Sequence, residues 1–474
     1  MVFASPLFIF VFMPIFFIVY FLTNNQYKNR VLLIASLLFF LWGAPSFSFV
    51  IILSLVVDWQ LGNLIFKYNA EVMKKKYFFV VSLILNIGML GYFKYCNFFV
   101  DNINSLLRYF NIHVIEWTQV GLPIGISFLV FHKISYIIDV YRNVKKPTET
   151  ISSYLIYILM FPMVIAGPII KYQDIVDQIR KRNNSIDNII QGLYRFVLGL
   201  TKKVWFADSF GNVADNIFSV PSGDVGFYHS WLGILCYTLQ IYFDFSGYAD
   251  MAIGLCKMMG FDIKENFNKP YISQNITEFW RRWHISLSNW MRDYIYIPLG
   301  GNRCSKFRNY FNLWVVFLIS GLWHGASWTF VIWGAFHGLC IIFDKIFWLD
   351  FSKKIPRILN IFITFILIMF SWVLFRSETI DYALNFMRSM FSMFKQTVDP
   401  SLEILNISSS IYIMLLLGLI VVFIPMFTKF EKVVNKISWV KHDVFRIFII
   451  VLLLILSISK CVSTTFSPFI YFRF

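Results

Sequence analysis

Charge is scarce in this chain. Asp, Glu, Lys and Arg make up 14% of its 474 residues, against roughly 25% in a soluble domain. A water-soluble protein of this length needs far more polar surface, so an ordinary soluble fold is excluded. The six cysteines are scattered and form no CxxC pair, which argues against a disulfide framework or a zinc site. Strings of the Walker A, GxGxxG and GxSxG types are absent. Neither a nucleotide phosphate cradle nor a serine nucleophile elbow is therefore expected. No Gly/Ser- or Pro-rich linker divides the chain. The N-terminus lacks the basic n-region and small-residue cleavage site of a signal peptide, so it reads as a first spanning helix.

Apolar residues take the place of charge. They make up 58% of the chain, including 55 Phe and 15 Trp. Residues 6–23, 77–93, 358–375, 411–428 and 445–459 are continuous apolar runs, near the ~20 residues that a spanning helix needs. Barrel strands would alternate instead. Hydropathy predicts about eleven spans, some of them re-entrant or interfacial. The formal net charge of +16 does not imply a nucleic-acid partner, because the basic residues sit in short loops between apolar runs. Lys28 and Arg30, Lys67 with Lys74, Lys75 and Lys76, and Arg142 with Lys145 and Lys146 alternate with loops holding only Arg108. By the positive-inside rule the N-terminus lies outside.

The predicted architecture is an all-α polytopic membrane protein with one domain over residues 1–474, in three zones. Residues 1–145 and 346–474 read as plain spans. In residues 146–345, polar, aromatic and Gly residues interrupt the apolar pattern. Within the last zone, Ile380, Leu384, Met387, Phe391 and Phe394 recur at helical spacing, which suits either an interfacial helix or a loop helix.

Polar groups at membrane depth persist when they are paired or functional, so the middle zone holds the candidate site. Residues 271–303 predict a helix capped by Thr277. Trp280, Trp283, Leu287, Trp290 and Tyr294 fall on one stripe, with Arg281, His284, Ser288 and Arg292 beside it. This is either an interfacial anchor with a tryptophan belt or a site wall presenting His284 and arginines to a polar ligand. In residues 310–343, His324 lies mid-run near Trp323 and Trp328. Gly321 with Gly325, and Gly334 with Gly338, have the spacing of close helix packing. His324 and His337 are 13 residues apart, about 220° around and ~20 Å along a continuous helix, so they are not expected to share a site unless the segment breaks. A buried neutral histidine suits general base catalysis, such as attack of a hydroxyl on a thioester in a site closed to water. Asp244 and Asp250 do not share a helix face, which disfavours a carboxylate pair. They read as partners of buried cations or backbone groups, and Asp208 beside Lys202 and Lys203 reads the same way. A transporter using these polar residues as a path is the main alternative from another class.

The strings FPMVIAGPI (161–169), YFDFSGYADMAIG (242–254), NFNKPYIS (266–273), EFWRRWHISLSNWMRDYIYIPLGGNR (278–303), GLWHGASWTFVIWGAFHG (321–338) and PFIYFRF (468–474) occur in this order. Together they resemble the membrane-bound O-acyltransferase (MBOAT) family, most nearly its bacterial polysaccharide O-acetyltransferases of the alginate type. A sister group transfers D-alanine to teichoic acid. The resemblance implies a ring of helices around a central tunnel, with His324 catalytic and His284 the second histidine of the site. It implies an acyl donor from the cytoplasm, acetyl-CoA, and no tightly bound cofactor or metal. An extracytoplasmic polysaccharide would be the acceptor, with a secreted or membrane-anchored esterase-like protein as partner, in the bacterial cell membrane. On this reading His324 deprotonates the acceptor and His284 orients or stabilises the thioester carbonyl. Trp280, Arg281, Trp283, Ser288, Trp323 and Asp208 would line the substrate path. Arg282 and Arg292 would meet the phosphates of the donor.

Overall fold

A computed structural model describes residues 2–43, 45–123, 125–165, 167–393, 409–426, 443–463 and 469–470. Helices are the only regular structure among them. Among the described residues, five segments, 45–67, 72–109, 328–354, 357–376 and 409–426, are long and apolar enough to cross a membrane, and 8–22 and 447–463 are shorter apolar helices. This is fewer than the eleven that hydropathy suggests. Other helices are shorter or broken by polar residues: Ile126–Tyr141 has 16 residues, among them Lys133 and Asp139. The end of the expected span 411–428, Phe394, and all of the 468–474 string except Phe469 and Ile470 lie outside the described residues. Large apolar side chains such as Leu22, Phe49, Ile84 and Phe362 are exposed, as a lipid solvent requires.

The chain divides into two compact units, residues 1–192 with 252–263, and residues 193–251 with 264–474. In the first, the helices Ser48–Lys67, Val72–Leu90 and Ile126–Tyr141 pack on one another. Their interior is more polar than a plain span. Asp58 and Lys133 form a buried ion pair at 3.0 Å. Asp58 also accepts from the Ser82 hydroxyl at 2.8 Å and the Asn86 amide at 2.9 Å, and Lys133 donates to Ser54 at 3.0 Å. A charge at this depth is tolerable because its partners replace water.

In the second unit, Lys306–His324 and Trp328–Phe343 form a tight hairpin, with Arg357–Arg376 beside the latter. Gly321 and Gly334 face each other across it: a Cβ on Gly321 would overlap the Phe330 carbonyl oxygen, and one on Gly334 that of Phe317. The expected glycine spacing therefore works between the two helices. Elsewhere in this unit Asp250 pairs with Arg195 at 2.9 Å and Lys202 at 2.6 Å, and Arg195 also pairs with Glu265. Lys203 bridges Asp208 at 2.8 Å and Asp244 at 3.0 Å. The other Asp244 oxygen accepts from the Ile470 amide at 2.8 Å. Asp244 thus holds the buried Lys203 and backbone, and Asp250 holds the half-buried Arg195 and Lys202, in keeping with the reading of both as partners of cations or backbone. The Ile380–Phe391 helix, capped by Thr379, buries Ala383, Phe386 and Met390 and leaves Leu384 and Phe391 outside. The apolar stripe read from the sequence is its outer face.

Candidate functional site

The segment expected to form one arginine-flanked helix is broken. Asn275, not Thr277, caps the first piece, accepting from the Glu278 amide at 2.7 Å. Thr277 instead gives its amide and hydroxyl to Asp344, at 2.7 and 2.8 Å. Helix Ile276–Arg282 stops at Trp283, and a second helix runs Ile285–Met291. His284 between them is left-handed, at φ 44°, a conformation that is unfavourable for a residue with a Cβ and concentrates at functional sites. The turn is held from segment 266–268. The Ile285 amide donates to the Asn266 carbonyl at 2.9 Å, and the Asn268 amide to the Arg282 carbonyl at 2.8 Å.

The break sorts the residues expected to share one face. Trp280, Trp283, Leu287, Trp290 and Tyr294 are all buried, so the tryptophans form a core rather than an interfacial belt. His284 is fully buried, while Arg281 and Arg292 are exposed and Ser288 is half-buried. Arg292 pairs with Asp293 at 2.8 Å. Arg282 is engaged with Glu278, at 2.8 Å, and with the Asn268 carbonyl at 3.2 Å. Asp208 is committed to Lys203.

A second break brings the histidines into one neighbourhood. Helix Lys306–His324 ends on His324, Gly325 is extended, and Trp328 begins the return helix. His324 is 4% exposed. Its ring lies against Trp323, Trp333 and Phe375, with centroids 4.9, 5.0 and 5.3 Å away and near-perpendicular planes. Trp323 in turn faces His284 at 6.2 Å. Trp333 faces His337 at 4.8 Å. His337, set apart by linear spacing, therefore lies one indole away from His324. Trp328, its expected neighbour, is exposed. Trp333, Phe375 and Asn266 were not singled out by sequence reasoning; Trp333 and Asn266 sit inside the strings that carried the resemblance.

The hydrogen bonds fix which ring nitrogens carry protons. His284 Nδ1 lies 3.2 Å from Asn266 Oδ1, which also accepts from the Ser286 amide at 3.1 Å and its hydroxyl at 2.8 Å. The amide can only donate, so the atom facing it is oxygen, and His284 Nδ1 must carry the hydrogen. His284 Nε2 is then a lone-pair acceptor. It is buried and has no partner among the described residues. Burial holds the ring neutral, with its pKa pushed down to about 3. His337 is the reverse case. The Trp280 indole donates to its Nδ1 at 3.2 Å, which leaves Nε2–H as a donor, also without a partner among the described residues. No group of three His, Cys, Asp or Glu among the described residues is placed to hold a metal ion.

An all-helical membrane protein with neutral, titratable rings enclosed by aromatic side chains has the build of an intramembrane transferase. Residues 142–377 match the family model "MBOAT, membrane-bound O-acyltransferase family". The chain belongs to this family of acyltransferases.

Its relatives include a protein of Azotobacter vinelandii named probable alginate O-acetylase AlgI, 44% identical over 83% of this chain and 78% of that one. The Pseudomonas putida protein of the same name is 39% identical over the whole of both chains. The peptidoglycan O-acetyltransferase of Helicobacter pylori is 35% identical over 83% of this chain and 80% of its own.

Proposed function

We propose that this protein is a multi-pass O-acetyltransferase of the bacterial cell membrane. It moves acetyl from a cytoplasmic thioester, acetyl-CoA, to hydroxyls of an extracytoplasmic polysaccharide, directly or through an esterase-like partner. The observation that carries the reading is His324, buried at a helix end within a box of Trp323, Trp333 and Phe375. The names of the relatives, for alginate and peptidoglycan acetylation, support acetyl as the group and a polysaccharide as the acceptor.

In the reaction a histidine takes the proton of the acceptor hydroxyl as its oxygen bonds to the thioester carbon. The carbon–sulfur bond breaks and the thiolate leaves, to be reprotonated. General base help of this kind is worth ~10²–10⁴-fold. The aromatic walls keep water from the activated acyl group.

The test is reconstitution of the full chain in lipid with radiolabelled acetyl-CoA and candidate acceptors. Acetyl transfer by the wild type, lost in His324→Ala of unchanged melting temperature, supports the reading. Normal transfer by folded His324→Ala overturns the assignment of His324. Solute flux without acetyl-CoA consumption would favour a transporter.

A further inference from the structure

We infer that Asn266 is a positioning residue that locks His284 as its Nδ1–H tautomer, so that His284 meets the acceptor side of the reaction through the bare Nε2 and takes a hydrogen bond from a hydroxyl. The inference rests on the acyltransferase reading and reverses the role expected for His284, which was to stabilise the thioester carbonyl. A carbonyl oxygen needs a donor, and a neutral ring held in this tautomer offers none at its open nitrogen.

Three contacts converge on Asn266 Oδ1: the His284 ring, the Ser286 amide and the Ser286 hydroxyl. Turning the amide over would set Asn266 Nδ2 against the Ser286 amide, donor against donor. The Ser286 hydroxyl has one hydrogen and spends it on Asn266 at 2.8 Å; it stands 3.5 Å from His284 Nδ1. The backbone carbonyl of the same Asn266 holds the Ile285 amide, immediately after the left-handed His284. One residue therefore sets both the turn that buries the ring and the face that the ring presents. Phe245 meets the ring edge-on at 4.7 Å and Trp323 lies on another side. These aromatic rings wall the open nitrogen, which has no partner among the described residues, and a ligand hydroxyl is a chemistry that satisfies it. The contrast with His337, set oppositely by the Trp280 indole, gives an internal reference.

The experiment is magic-angle-spinning NMR of the full chain in lipid with ¹⁵N-labelled histidine; only seven histidines contribute. His284→Gln and His337→Gln spectra assign the two rings. The wild type should show His284 protonated at Nδ1 and His337 at Nε2. His284 protonated at Nε2 in the wild type overturns the inference with no variant of Asn266 needed. Asn266→Leu should lose the Nδ1–H signature and lower turnover by ~10²-fold, with the KM for acetyl-CoA unchanged. Asn266→Asp, which still accepts from Nδ1–H, should recover the signature and bring turnover within ~10-fold of wild type. Folded Asn266→Leu with full turnover overturns the inference, as does Asn266→Asp keeping the signature without recovering turnover. Failure of the acyltransferase reading is separate: it would appear as a wild type with the expected tautomers and no acetyl transfer.

Discussion

In the first unit, Asp58 and Lys133 are buried together, and two hydroxyls and an amide from two helices surround them. In the second unit, His284 and His337 are buried as deeply, yet each keeps a ring nitrogen with no partner among the described residues. Both arrangements put polar groups into an apolar interior. The first pairs its charges internally and contributes order, with Asn86 Oδ1 alone of its amide atoms lacking a partner among the described residues; the second retains ring nitrogens that a ligand can use. Membrane-buried polarity is thus informative about function when it is incomplete. The same rule applies within the second unit, where Asp244 and Asp250 are paired with cations and backbone while His284 and His337 each keep a nitrogen with no partner among the described residues.

If this comparison holds, damage to the open cluster stops chemistry and damage to the closed one lowers stability. The largest effect expected is that of His324→Ala, which should reduce acetyl transfer by at least ~10²–10⁴-fold with a thermal midpoint in detergent near that of wild type. Asp58→Ala comes next. It strands the Lys133 charge and should cost about 3–5 kcal/mol, whereas the double change Asp58→Leu with Lys133→Met should recover most of that loss. Denaturant unfolding in mixed micelles measures both, and turnover per folded molecule should stay near normal. A large loss of turnover in the double variant would break the distinction between the two units.

Trp280→Phe tests the open cluster more gently. It removes the donor to His337 Nδ1 at a stability cost of about 0.5–1.5 kcal/mol. The His337 ring is then free to exchange tautomers, which the histidine ¹⁵N spectrum reads directly. The smallest effect concerns pH. The His284 pKa is held down from 6.5 to about 3 by burial. Between those values the unfolded chain binds a proton that the folded ring refuses, so this contribution to stability is complete above pH 6.5 and declines as the pH falls toward 3. His284→Gln should flatten the acid limb of stability against pH over that window. An unchanged limb would show that His284 is not held neutral.

Much of the site was legible from chemistry that needs no neighbours. A histidine within the apolar stretch 310–343, and tryptophans at helical spacing with a second histidine among them, stand out in one dimension. The breaks do not. The apolar stripe from Trp280 to Tyr294 keeps helical phase on both sides of His284, so its periodicity conceals a turn that segment 266–268 imposes from elsewhere in the chain. Asn266 in isolation is an ordinary loop residue. It is the coincidence of four donors on its two oxygens that gives it a role. Asp58 and Lys133 escaped notice because each sits among mostly apolar neighbours in its helix, 75 residues from its partner.

By itself the sequence determined the solvent, the helical class and the acyltransferase family, and it singled out the two candidate histidines. These follow from hydropathy, which is summed residue by residue, and from strings that are contiguous in the chain. Tertiary structure alone decided where the helices break, which charges are already spent, that His337 lies one indole from His324, and which ring nitrogen of His284 and of His337 is bare. Each of these depends on a contact between segments distant in sequence, and a hydrogen-bond partner is specified only when the chain has brought it within about 3 Å.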